Sequence, residues 1–107
     1  TKSSIFGKNV ELPHETGAYD EQYARMFQVF AAGYSRATDA VEVGAVIREA
    51  IETDEPKLRW PCSWGGVEMT EGRRAITDEQ YVALGAIESR DDYIAAFGAL
   101  IGLDIST

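Results

Sequence analysis

Residues 38–64 read TDAVEVGAVIREAIETDEPKLRWPCSW, and the interpretation of this stretch decides the fold. Val43, Val46, Ile47, Ala50 and Ile51 recur at spacings of three and four, which lays one apolar stripe along a helix, while Glu42, Arg48, Glu49 and Glu52 fall largely outside it. Another helix or a sheet has to cover that stripe. Asp39 with Glu42 is an acidic variant of a capping box and places negative charge at the positive end of the helix dipole, so the helix starts there and stops before Pro56. Leu58, Trp60 and Cys62 then alternate with Lys57, Arg59 and Pro61, and Pro61 withholds a ladder donor, so the run suits the edge of a sheet. One edge strand cannot make a sheet by itself. Segment 39–64 is therefore expected to be a helix, an acidic turn and a short strand.

Upstream, residues 20–37 carry the clearest helical pattern, with Tyr23, Met26, Phe27, Phe30, Ala31 and Tyr34 on one face. A wide aromatic stripe of this kind is ordinarily core or a contact with a neighbouring subunit. Gly33 weakens the helix near its end. Residues 1–19 include Gly7, Pro13 and Gly17 without sustained periodicity and are expected to form an irregular arm. Downstream, residues 65–107 form a helical extension. After a turn at 63–66, whose Trp64 needs an apolar partner, Gly72, Arg73 and Arg74 lead to Thr77-Asp78-Glu79-Gln80, a capping box. The helix that follows presents Tyr81, Leu84 and Ile87. Ser89 caps a second helix with Tyr93, Ile94, Phe97, Leu100 and Ile101 inward, and Gly102 ends it with Leu103 packing back.

The 107 residues suffice for one small domain, and 45% hydrophobic with 26% charged residues describes an ordinary globular chain. A net charge of −8 argues against nucleic acid, whose recognition begins with a basic face, and against anionic membranes. No apolar run approaches the roughly 18–20 residues that span a bilayer. Cys62 is the sole cysteine, so no internal disulfide forms and a cytoplasmic location is the default; on the strand it is expected to be a small buried apolar residue. The acidic group Glu49, Glu52, Asp54 and Glu55 belongs to a polar helix face and its exit turn, and no metal site is expected there. His14, in the irregular arm without a nucleophile or metal partner, reads as a surface residue; Arg73 and Arg74 could pair with a cofactor phosphate, but the preferred reading is that they balance nearby acids.

The run AVIREAIETDEPKLRWP, with Pro56, Leu58, Arg59 and Trp60 forming a P-x-L-R-aromatic strand, resembles the helix and last strand near the C-terminus of short-chain dehydrogenases/reductases. The tail TDEQYVALGAIESRDDYIAAFGALIGLDIS resembles the C-terminal extension of one branch of that family, and TKSSIF resembles the segment after its P-G turn. The resemblance spans most of the chain but includes no catalytic signature. The family's T-G-x-x-x-G-x-G turn, which receives the cofactor pyrophosphate, is not among these residues, and no tyrosine has a lysine four positions on. The resemblance thus implies the C-terminal, substrate-side segment of such an enzyme, without its dinucleotide-binding half and not catalytic by itself.

It further implies that residues 20–37 are a lid helix over the active site, with Phe6, Tyr23, Met26, Phe27 and Phe30 facing a hydrophobic carbonyl or alcohol substrate. In the family a hydroxyl near the start of this segment bonds the nicotinamide carboxamide; Thr1, Ser3 or Ser4 could stand there, with Ser3 preferred and Thr1 next to it in the candidate cofactor set. NAD or NADP is expected of the complete family fold and not of this chain alone. The chain begins at Thr1, which is compatible with initiator removal, tag cleavage or a cut from a longer polypeptide. By itself the segment is expected to be mostly α with one short edge strand, although the architecture it resembles is a Rossmann-like, doubly wound α/β sheet. The implied partner is a dinucleotide-binding half or another copy of the chain. The alternative is a free-standing helical module, for interaction or small-ligand binding, that hides its apolar stripes by self-association.

Overall fold

Side-chain caps start two of the helices, at Thr77 and Ser89, in the computed structural model, which describes residues 1–5 and 17–107. Five helices follow one another: α1 (Asp20–Ser35), α2 (Ala40–Glu52), α3 (Gly66–Ala75), α4 (Asp78–Leu84) and α5 (Arg90–Ile101). At Thr77 the capping box is complete, the threonine hydroxyl accepting from Gln80 N–H at 3.1 Å and the Gln80 side chain accepting from Thr77 N–H at 2.9 Å. Two donors of the first turn are met locally. Thr77→Ala is expected to cost about 1 kcal/mol, read as a lowered midpoint in urea denaturation. Ser89 caps α5 by accepting from Asp92 N–H at 3.3 Å. Gly102 ends that helix in the left-handed region, with φ of 80°, and turns Leu103 back into the core.

The core is assembled around α5. Tyr93, Phe97 and Ile101 are buried together with Leu84 of α4, Ala32 of α1, and Leu103 and Ile105 of the tail. Val29, Trp64, Met69 and Ile76 pack around them half-buried, so Trp64 finds the apolar partners its position required. α3 crosses α5 at very close range, because Gly72 offers no side chain: a Cβ there would lie 2.2 Å from the Ile101 carbonyl oxygen. Among the described residues no buried side-chain nitrogen or oxygen lacks a hydrogen-bond partner.

Several expectations are corrected. The described residues contain no strand, and 57–62 is an irregular run that includes an exposed Leu58. The alternation there is present, but a strand exists only when a neighbour completes its ladder, and no described segment lies alongside. The fold class among the described residues is accordingly all helical. Cys62 is half-buried on that run, less enclosed than expected. A helix not anticipated, α3, occupies the region read as a connection between Trp64 and Thr77. Asp39 does precede α2, but its side chain makes no cap bond and pairs instead with the Lys2 ammonium at 3.0 Å.

The largest correction concerns α1. The face it buries carries Arg25, Gln28 and Ala32, whereas Met26, Phe27 and Phe30 of the aromatic stripe remain exposed. Two polar side chains can be buried because each is spent on a main-chain carbonyl: Arg25 Nη1 donates to Ile87 O at 2.7 Å, and Gln28 Nε2 donates to Ile105 O at 2.6 Å. Arg36 adds a third such bond, to Asp104 O at 2.9 Å. The tail is thereby tied along α1.

α2 buries no residue at all, although its apolar stripe forms as the periodicity requires. Ile47 is 56% and Ile51 78% exposed while Val43, Val46 and Ala50 are half-buried, so the stripe is only partly covered among the described residues. The Cα radius of gyration is 16.2 Å. A compact chain of this length would have roughly 13 Å, so the arrangement is more open than a closed globule.

Candidate functional site

The exposed side of α1 contains a continuous surface with no exposed charge between Glu21 and Arg36, since Arg25, the one ionisable cation between them, is turned inward. Met26, Phe27 and Phe30 lie on it, with Tyr23 half-buried beside them. Aromatic and methionine side chains without charge form the composition of a contact surface. These four were expected to face a substrate, and they do share one helix side; Phe6, the fifth, lies outside the described residues, as does His14.

Phe30 also borders a groove of about 240 Å³ between α1 and the turn that carries Trp64. Val29, Phe30 and Gly33 form the α1 wall, Trp64, Met69 and Leu103 the opposite one, and Thr1 stands at the rim. Two connections hold that rim. Lys2 N–H donates to Thr38 O at 2.9 Å, and Trp64 N–H donates to the Thr38 hydroxyl at 2.9 Å, so the start of the chain and the Trp64 turn both meet the linker between α1 and α2. Thr1 Oγ1 and Ser63 Oγ then lie 2.9 Å apart. Thr1 is brought to the same place as Phe30, whereas Ser3 stays exposed and accepts from Ile5 N–H at 3.4 Å. Of the two hydroxyls named for a cofactor, the structure puts Thr1 and not Ser3 against the groove.

Sequence reasoning missed Gly33 and Trp64 as site residues. The available signal was a glycine inside an otherwise regular helix, which implies a close neighbour or a space to be kept. A Cβ at Gly33 would meet the Trp64 ring at 3.8 Å, an ordinary contact. Trp64 is held on its other side by the Arg36 guanidinium, 5.3 Å from the ring centroid.

Electrostatics elsewhere are structural. Burial pushes the Tyr93 phenol above its ordinary value, with Tyr81 adding to the effect and Arg25 opposing it. The Ser106 backbone N–H, donating to Asp104 Oδ1 at 2.9 Å, holds that carboxyl below its ordinary value. Arg73 pairs with Asp78, and Arg74 with Glu71 at 3.3 Å, so both arginines balance local acids. Glu49 and Glu52 border only a shallow open depression on α2, where Arg48 Nε bonds Glu52 at 2.9 Å. Among the described residues no three histidine, cysteine or acidic side chains gather as a metal site. No described helix is long and apolar enough to cross a membrane. In comparisons with known proteins, no family model matches the chain, and neither does any curated protein or solved structure.

Proposed function

We propose that this chain is the substrate-recognition and subunit-packing segment of an NAD(P)-dependent short-chain dehydrogenase/reductase acting on a hydrophobic carbonyl or alcohol. A dinucleotide-binding half supplies the cofactor bed and the Tyr/Lys acid/base pair, and α1 serves as the lid with Tyr23, Met26, Phe27 and Phe30 toward the substrate. One observation carries this reading: α2 is amphipathic yet has no fully buried residue, and it is followed by 57–62, a run of strand-like sequence that forms no ladder among the described residues. A helix stripe left partly open and a strand-patterned run without a ladder are together what is expected when the sheet of a doubly wound fold is supplied from elsewhere.

The Leu58, Arg59 and Cys62 amides make no backbone hydrogen bond among the described residues, which leaves them available to a neighbouring strand. Hydride transfer requires the cofactor-binding half, so the 107-residue chain alone is expected to oxidise no NADH or NADPH in the presence of an aromatic ketone. Native mass spectrometry of the material as isolated checks the reading directly. A co-purifying polypeptide with a T-G-x-x-x-G-x-G turn, a Tyr-x-x-x-Lys pair and bound nucleotide supports it. A homo-oligomer of this chain alone, free of nucleotide, overturns it in favour of a self-associating module, and turnover by the isolated chain overturns the division of labour.

A further inference from the structure

We propose that the outward face of α1 pairs with the same face of a second copy of this chain, the two helices running antiparallel about a two-fold axis at the level between Gln28 and Val29. The pair goes beyond the reading above and fits either composition of the isolated material: two copies with two cofactor-binding halves, or two copies alone. In the enzyme reading, Phe27 and Phe30 face a substrate only when the pair parts.

The seam is laid down by spacing. Tyr23, Phe27, Phe30 and Tyr34 follow one another at four, three and four residues, which aligns them in one narrow line along the helix. Arg25, Gln28 and Ala32, the residues that α1 buries, lie on its other side. Phe27 is 46%, Phe30 50% and Tyr34 66% exposed, with Tyr23 half-buried. The seam therefore points away from the chain's own core.

Its sequence identifies the occupant. An interface between identical copies about a two-fold axis has to complement itself. With the axis between Gln28 and Val29, Phe27 of one copy stands level with Phe30 of the other, and Tyr23 with Tyr34. Tyr-x-x-x-Phe-x-x-Phe-x-x-x-Tyr reads the same from either end, so each aromatic of the seam meets an aromatic. A partner of unrelated sequence calls for no such symmetry. On the two flanks Ala24 comes beside Ala31 of the other copy and Met26 beside Gly33, so small residues let the helix axes approach and no charge borders the seam.

Charge sets the direction. A parallel pair in register would bring the Asp20 and Glu21 carboxylates of both copies together at one end, where like charges repel. Antiparallel pairing parts these acidic ends by the length of the helix. Each then meets the opposite end of the other α1, where Lys2 pairs with Asp39 at 3.0 Å and Arg36 with Asp104 at 3.9 Å, leaving little net charge.

Area sets the strength. At roughly 200 Å² per aromatic side chain, the exposed parts of Phe27, Phe30 and Tyr34 amount to about 300 Å² per copy. Tyr23, Met26 and the alanines bring the pair to about 900 Å² in total, below a standard-size interface, so the association is weak.

Sedimentation equilibrium of the purified 107-residue chain tests the pair. A reversible dimer is expected, with a Kd on the order of 10–100 µM for an interface of this size. Phe27→Glu puts a carboxylate into each central layer and should weaken it at least tenfold, with circular dichroism unchanged because Phe27 takes no part in the core. Ile51→Glu, at an exposed apolar position of α2, should leave the dimer as it was. Mixing reads the direction: Tyr23→Glu and Tyr34→Lys chains should each pair poorly alone and pair with one another, since these positions stand level only in the antiparallel arrangement. Should Phe27→Glu lose its helices, the mixing experiment decides. A chain that stays monomeric well above the expected Kd, a dimer that a folded Phe27→Glu leaves intact, equal weakening by Ile51→Glu, or Tyr23→Glu and Tyr34→Lys chains that do not pair with each other each overturns the proposal. Failure here leaves the search for a co-purifying half untouched, and the absence of that half leaves the pair unchanged.

Discussion

Gly72→Ala is expected to destabilise the chain by about 3 kcal/mol, the upper part of the range for overpacking a tight contact. Helix propensity alone predicts the opposite sign, since alanine in a helix interior is worth roughly 1 kcal/mol over glycine. Geometry decides between them. The added Cβ would lie 2.2 Å from the Ile101 carbonyl oxygen and 2.8 Å from its carbonyl carbon and Cα, all backbone atoms of α5. No flexible side chain can swing away, so α3 and α5 must separate, and Met69 and Ile76 would loosen with them. Urea denaturation followed by circular dichroism measures the effect. A midpoint equal to or above that of the wild type would mean that the α3–α5 approach is wrong.

Ile105→Ala ranks second, with an expected loss of about 3 kcal/mol, within the usual range for truncating a buried isoleucine to alanine. Among the described residues Ile105 is the one large side chain with no exposure at all, although it lies in an irregular tail. Its carbonyl accepts from Gln28 Nε2 at 2.6 Å, and Gln28 Oε1 accepts in turn from Arg90 Nε at 2.9 Å. A double-mutant cycle of Ile105→Ala with Gln28→Leu is expected to be non-additive, because tail release by either change removes contacts of both. Additivity within experimental error would indicate that side-chain burial and the carbonyl bond act separately.

These two sites also separate what could be read in the sequence from what could not. Thr77, Ser89 and Gly102 were legible because a cap is a local contract between residues three or four apart. The inward face of α5 was legible because α5 is central, so its most apolar side is its buried side. For α1 the same logic reverses. Periodicity identifies an apolar face but not what meets it, and Arg25 and Gln28 count as polar residues until the carbonyls of Ile87 and Ile105 are known to be opposite them. The spacing of Arg25, Gln28 and Ala32 was the available hint. α3 escaped because GVEMTEGRRA has two glycines and little apolar period; its signal was charge, with Glu68 in the first turn and Arg73 and Arg74 in the last. The expected strand failed for a different reason, since pairing is a property of two segments and only one is described. The groove was legible only in part: Thr1 and Phe30 were candidates, but Trp64 and Gly33 meet through a tertiary contact that neither helix spacing nor composition encodes.

The ties between α1 and the tail also bear on the order in which the molecule comes together. Arg25 reaches a carbonyl 62 residues downstream, Arg36 one 68 downstream and Gln28 one 77 downstream. α3, α4 and α5 can meet over short loops, whereas the polar ties of α1 wait for residues 87–105. At ribosomal rates of about 5–20 residues per second, that wait is roughly 4–15 s. Until it ends, a helix with phenylalanines and methionine on one side and buried-type polar groups on the other lacks its full set of partners. Nascent α1 is thus a segment that a holding chaperone would protect, and the arrival of residues 104–105 completes its polar ties.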